Sequence, residues 1–193
     1  MKPAVHRVAI VGAECAGKTT LARSLAQRMG GLWVGEYLRE FCDLHGRTPR
    51  PDEQAEILAE QRRRERASVA AARGAGLAWL FLDSVPLVTA AYSELLFADV
   101  SLYPAALAHH AHYYRTLLLA PDLPWVADGI QRDGPAVRAR FHALLTETLE
   151  AAELRYTLIT GSGAAREAAA EATLRAGRRA QVESPGTASG PAQ

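Results

Sequence analysis

The sequence predicts an α/β protein built on a mostly parallel sheet of five strands in three layers, and three observations carry that prediction. Apolar runs of strand length recur at residues 5–11, 32–34, 77–82, 116–119 and 156–160. Long stretches with apolar residues at helical spacing separate them, the alternation expected when helices cross over between parallel strands. The third observation is Gly12-Ala13-Glu14-Cys15-Ala16-Gly17-Lys18-Thr19, directly behind the first run. This is the spacing of a phosphate-binding P-loop, and it opens a helical pattern at Leu21, Ala22, Leu25 and Met29, the context such a loop needs.

The residue types follow from the chemistry. A polyphosphate must be wrapped by backbone N–H groups at contact distance, and a Cβ at Gly12 or Gly17 would obstruct the wrap. Gly12, Glu14, Cys15, Ala16, Gly17, Lys18, Thr19 and Thr20 are therefore the expected ATP-binding residues. Lys18 brings a point charge to the β- and γ-phosphates, and the Thr19 hydroxyl suits Mg²⁺. A helix beginning near Gly17 adds its positive dipole end.

After the second run, Pro51-Asp52-Glu53 starts a long helix that ends near Arg73, before Gly74-Ala75-Gly76. Its Arg62, Arg63, Arg64 and Arg66 read as a solvated face with Glu60 and Glu65 as partners, or as a source of one substrate-facing cation. Pro86 begins a helix through Leu96 and Pro104 another through His112, and Gly134-Pro135 leads into one ending near Ala152. His109, His110 and His112 lack a second ligand pair, and His110 and His112 point to different helix faces, which argues against a metal site. Residues 1–180 are expected to form one domain, and 181–193, rich in Ser, Gly, Pro and Ala, a disordered tail.

Twenty-two Lys and Arg against 21 Asp and Glu give a net charge of +1, so no bulk field favours nucleic acid or an anionic membrane. One of the two cysteines lies inside the phosphate loop, where a disulfide would block the ligand, and a reducing, cytoplasmic setting is expected. No apolar run is long enough to span a bilayer, and the first residues lack a signal-type apolar core.

In parallel sheets ligands collect beyond the carboxyl ends of the strands, so the residues just after each run are the functional candidates. The third run ends Leu80-Phe81-Leu82-Asp83-Ser84, which places Asp83 as a metal-holding carboxylate, with a helix cap as the alternative. Ser84 stands where motor-type ATPases usually carry a water-activating Glu, which favours transfer to a bound acceptor over hydrolysis. Glu36-Tyr37-Leu38-Arg39-Glu40 follows the second run; Glu36 sits where an acceptor-facing carboxylate would be, or is a helix-start acid that suits the dipole. Behind the fourth run, two prolines and two glycines frame Pro121-Asp122-Leu123-Pro124-Trp125-Val126-Ala127-Asp128-Gly129-Ile130-Gln131-Arg132-Asp133-Gly134. That segment reads as a lid whose Arg132, with Arg138 or Arg140 as substitutes, stabilises a transferring phosphoryl group, or as a plain surface loop.

With these stretches in hand, the sequence resembles the ribosylnicotinamide kinase domain of the bifunctional NAD-biosynthesis and regulator proteins, among the P-loop nucleoside and nucleotide kinases of the AAA type. The matching segments are Val8 to Thr20, Glu36-Tyr37-x-Arg39-Glu40, Gln61-Arg62, Phe81-Leu82-Asp83 and Pro121-Asp122-Leu123-Pro124-Trp125-Val126-x-Asp128-Gly129. The resemblance implies a kinase-type P-loop fold and transfer from MgATP to the 5′-hydroxyl of nicotinamide riboside. It implies Lys18, Asp83, Glu36 and Arg132 as catalytic residues, with Glu36 or Asp83 orienting the acceptor hydroxyl, and Thr19 and Asp83 as metal ligands. Glu36, Tyr37, Arg39, Arg62, Trp125 and Asp128 would bind the acceptor, and Gly161-Ser162-Gly163 would lie beside the adenine. Two departures stand out: Gly35 and Arg63 occupy positions where the family carries aromatics that sandwich a pyridine ring, with Trp33 or Tyr37 as substitutes. No adenylyltransferase or DNA-binding segment accompanies the domain, so dinucleotide synthesis is not expected of this chain.

The expected partner is a small-molecule nucleoside, with no nucleic acid and no membrane, and a homodimer is compatible with the sequence. Two other readings stand beside the kinase. One is a nucleotide-dependent switch or regulatory ATPase without an acceptor, against which the chain lacks an Asn-Lys-x-Asp motif; the other is a kinase of a different nucleoside or nucleotide. A nucleic-acid-acting ATPase is disfavoured by the neutral charge and by Ser84.

Overall fold

The computed structural model describes residues 4–126 and 134–183, with side chains through 177. The strands are β1 (His6–Val11), β2 (Gly31–Val34), β3 (Trp79–Asp83), β4 (Arg115–Leu119) and β5 (Thr157–Ile159). The helices are α1 (Lys18–Met29), α2 (Tyr37–His45), α3 (Gln54–Gly74), α4 (Pro86–Phe97), α5 (Tyr103–His110), α6 (Gly134–Ala151) and α7 (Gly163–Glu183). A single 3₁₀ turn, Pro51–Glu53, leads into α3.

All five strands are parallel in the order β2-β3-β1-β4-β5. The chain winds from β1 to one edge, returns to β3, then crosses to β4 on the other side of β1. This reversal puts the mouth of the sheet at the carboxyl end of β1, where an open α/β sheet holds its ligand. The register sets what gathers there, with Ile10 opposite Asp83 and Val11 opposite Leu118.

Alternation along the buried strands splits the core into two layers. Ala9, Val11, Leu80, Leu82 and Leu118 face α4 and α6, packing on Leu87, Val88, Phe141, Leu145 and Leu149. Val8, Ile10, Phe81, Leu117 and Leu119 face α1 and α7, against Leu21, Leu25, Ala170 and Leu174. Each of the Val, Leu, Ile and Phe side chains among them contributes about 1.5–3 kcal/mol relative to exposure.

The structure departs from expectation at several ends. β3 begins at Trp79 rather than Leu77, because the Leu77 N–H is spent closing α3 on the Ala72 carbonyl at 2.9 Å. α5 ends at His110, and His112 lies in the turn that follows. Glu65, expected among the solvated partners of the arginines, is instead buried: His109 Nε2 lies 2.7 Å from its Oε2, and the Tyr113 hydroxyl donates to it at 3.0 Å. The arginines divide their pairing otherwise, with Arg63 and Arg64 on Glu60, and Arg64 also on Glu40. Those guanidiniums hold the Glu60 carboxyl down at about 2, the Arg63 hydrogen bond contributing most.

Candidate active site

The loop between β1 and α1 has the backbone that its glycines permit. Gly12 has φ +152°, and a Cβ there would meet the Leu119 carbonyl oxygen at 3.1 Å; Gly17 has φ +80°, and its Cβ would meet Leu123 Cδ1 at 3.2 Å. Both are places where only the smallest residue permits the approach. The Lys18 ammonium folds back on the Ala13 carbonyl at 3.1 Å, within the loop. A cleft of about 370 Å³ opens over the loop, lined by Cys15 to Thr20 together with Arg23, Glu36 and Arg39. Glu36, which follows β2, and Arg39, one turn into α2, thus join Lys18 around one space.

Asp83 is 2% exposed. Burial raises its pKa most and the neighbouring Glu36 carboxylate adds to the rise, while Lys18, the Thr19 hydroxyl and Arg39 oppose it. Its Oδ1 is buried without a hydrogen-bond partner. The cap alternative does not apply to it, since α4 takes Val85 as its N-cap. Glu36 occupies the N-cap of α2 but makes no side-chain cap hydrogen bond, so its carboxylate is not spent on that helix. An orphaned carboxylate oxygen beside a threonine hydroxyl fits a hard divalent cation such as Mg²⁺, which binds through one or two carboxylates plus phosphate oxygens. Thr19 and Asp83 are the residues that would hold it.

The rim carries the remaining candidates. The Trp125 indole donates to Glu14 Oε1 at 2.8 Å, tying the segment after β4 to the phosphate loop. Beside Glu14, a small pocket of about 70 Å³ is lined by Leu38, Pro49, Gln54, Tyr92 and Leu96. The Tyr37 ring is covered by the Arg64 guanidinium at 4.5 Å and its N–H is held by Gln61, while Arg23 lies over Trp33 at 4.5 Å. Arg62 is not among the residues that line the cleft, and its charge is felt at Tyr113. Arg63 is exposed and paired with Glu60, so it does not fill a ring site. Asp128 and Arg132 lie outside the described residues. Arg138, a substitute for Arg132 as a lid cation, is 6% exposed and donates to the Leu123 and Cys15 carbonyls. Arg140 is exposed. Sequence reading missed Arg166, which is buried against the loop from α7; no spacing rule marks one arginine in a helix as inward-facing.

The phosphate loop, the strand-end carboxylates and the strand order define a P-loop fold of the kinase type. A protein family described as AAA domain matches residues 7–166, and the chain belongs to that family. No curated protein matches the sequence. Among solved structures, NadR in complex with NR superposes with a TM-score of 0.74 at 21% identity, over 89% of this chain and 49% of that one. NadR in complex with NAD and AMP-PNP gives 0.68 at 20% identity, over 98% of this chain and 52% of that one. Thymidylate kinase from Ehrlichia chaffeensis gives 0.64 at 16% identity, over 89% of this chain and 100% of that one. The likeness establishes the fold, and this chain spans about half the length of the NadR structures. Among the described residues no helix is long and apolar enough to cross a membrane.

Proposed function

We propose that the protein is a MgATP-dependent kinase that phosphorylates the 5′-hydroxyl of a nucleoside, with nicotinamide riboside as the first candidate acceptor. The observation that carries this reading is the gathering of Lys18, Thr19 and Glu36 around one cleft, with the buried Asp83 carboxylate interacting with all three and keeping one oxygen unpartnered. The likeness to NadR structures holding NR and AMP-PNP supports the choice of acceptor and donor.

The loop amides from Gly12 to Thr20 would grip the triphosphate, and Lys18 would leave the Ala13 carbonyl for the β- and γ-phosphates. Mg²⁺ held by Thr19 and Asp83 would supply charge neutralisation across those phosphates. Glu36 would accept a hydrogen bond from the acceptor hydroxyl and aim its oxygen at the γ-phosphorus. The new O–P bond forms as the bond to the β–γ bridging oxygen breaks; ADP leaves, and the hydroxyl proton passes to Glu36 or to water. Because the transition state is loose, alignment matters more than the strength of the base. Arg132 would join the charge stabilisation from the lid segment, and Tyr37, Arg39, Trp125 and Asp128 would frame the acceptor. Residues 1–180 act as the kinase domain in this reading.

Coupled ADP release with MgATP over a panel of nicotinamide riboside, nicotinic acid riboside, pyrimidine nucleosides and mononucleotides tests it. Acceptor-stimulated release with nicotinamide riboside, lost in Lys18→Ala, is expected. Slow hydrolysis that no acceptor stimulates would replace the kinase reading with a nucleotide-dependent switch.

A further inference from the structure

Behind the phosphate loop, away from the cleft, two arginines reach its backbone from different helices. Arg166 of α7 has a side chain 5% exposed and donates to the Ala16 carbonyl, to the Ala120 carbonyl at 3.2 Å and to Asp122 Oδ1. Asp122 Oδ2 in turn accepts the Gly161 N–H at 2.7 Å, in the turn between β5 and α7. Arg138 of α6 donates to the Leu123 carbonyl at 2.8 Å and reaches the Cys15 carbonyl at 3.4 Å. The β4 segment, the β5–α7 turn and the phosphate loop are thereby joined through one carboxylate and two guanidiniums.

The consequence lies in peptide geometry. A trans peptide is planar and its C=O and N–H point in opposite directions. Holding the Cys15 and Ala16 carbonyls on the guanidinium side therefore turns the N–H groups of Ala16 and Gly17 the other way, and both residues line the cleft. A loop that must present converging N–H groups to an anion has to keep its carbonyls out, and in an unliganded loop those N–H groups repel one another. Buried cations on the opposite carbonyls offset that repulsion before any phosphate arrives.

We propose that Arg166 and Asp122 are positioning residues: a clamp that holds the phosphate loop in its anion-binding shape and locks the β5–α7 turn to it. The proposal rests on the nucleotide-binding reading above but not on the identity of the acceptor. Inorganic tripolyphosphate, which needs only the loop, separates the two. Its binding and that of MgATP are measured calorimetrically for wild type, Asp122→Asn, Arg166→Lys and Arg166→Met, at a temperature where circular dichroism shows each variant folded.

The clamp predicts at least about tenfold weaker binding of both ligands in Asp122→Asn and Arg166→Met, with Arg166→Lys in between. The KM for ATP should rise by more than kcat falls, and tripolyphosphate should protect Cys15 from alkylation less well than in wild type. If Arg166→Met does not fold, Asp122→Asn decides, since it removes the carboxylate charge that fixes Arg166 against the loop without changing the size of the side chain. Lower melting temperatures with unchanged tripolyphosphate affinity overturn the clamp and leave a merely structural ion pair. A wild type that binds tripolyphosphate and MgATP but phosphorylates no nucleoside overturns the acceptor assignment alone; one that binds neither overturns both.

Discussion

Asp83 at the carboxyl end of β3 and Glu65 in the middle of α3 are both withdrawn from water, at 2% and 1% exposure, yet their surroundings differ in kind. Both oxygens of Glu65 are supplied: the Tyr113 hydroxyl donates to each at 3.0 Å and His109 sits 2.7 Å from one. Asp83 keeps one oxygen with no partner and feels the repulsion of a second carboxylate, Glu36. A buried carboxylate with its partners in place holds elements together; one left short costs stability and is kept for what it later binds. The first joins α3 to the α5–β4 connection, and the second waits at the mouth of the sheet.

The sharpest way to break this contrast is to neutralise each carboxylate. Asp83→Asn should lower phosphoryl transfer by about 10²–10³-fold, while its melting temperature holds or rises because a desolvated charge is removed. A clear drop in melting temperature would make Asp83 a structural residue like Glu65. Glu65→Ala should cost about 3 kcal/mol in a denaturant titration, since it strands the Tyr113 hydroxyl and His109, with ADP release per folded molecule unchanged. Lost turnover in the folded variant would erase the distinction from the other side.

A smaller effect comes from His110, which bonds Thr116 at 2.8 Å beside the same connection. Burial, with a lesser push from His109, lowers its imidazole to about 4. The unfolded chain, with an ordinary value near about 6.5, binds more protons between those limits, so stability falls as the pH is lowered from about 6.5 toward 4. Denaturation midpoints across that window should lose part of this slope in His110→Asn; an unchanged slope would assign the acid sensitivity elsewhere. The mildest probe is Cys15, which lines the cleft. MgATP should slow its alkylation, and equal rates with and without nucleotide would place the ligand off the loop.

How far the site was legible varied by residue. Asp83 was readable because an apolar run ending in an acid leaves that acid at the strand's carboxyl end, and register then sets it opposite Ile10. Glu36 was readable for the same reason after β2. Arg62 and Glu65 were not, because Arg62-Arg63-Arg64-Glu65-Arg66 has no apolar period to show which side of α3 meets the protein. Gly35 and Arg63 show the same limit: their sequence positions suggest a missing ring stack, yet Arg63 points to solvent on Glu60.

By itself the sequence determined the alternation of strands and helices, the phosphate loop and the acids that follow the strands. These are local facts, set by hydrophobic period and by the conformations glycine alone adopts. Only the tertiary structure decided which charges are satisfied and which are left open, and which arginines reach the back of the loop. Whether a polar group is paired depends on neighbours far away in the chain, such as Arg166 on Ala16 and Trp125 on Glu14, and no local pattern encodes them.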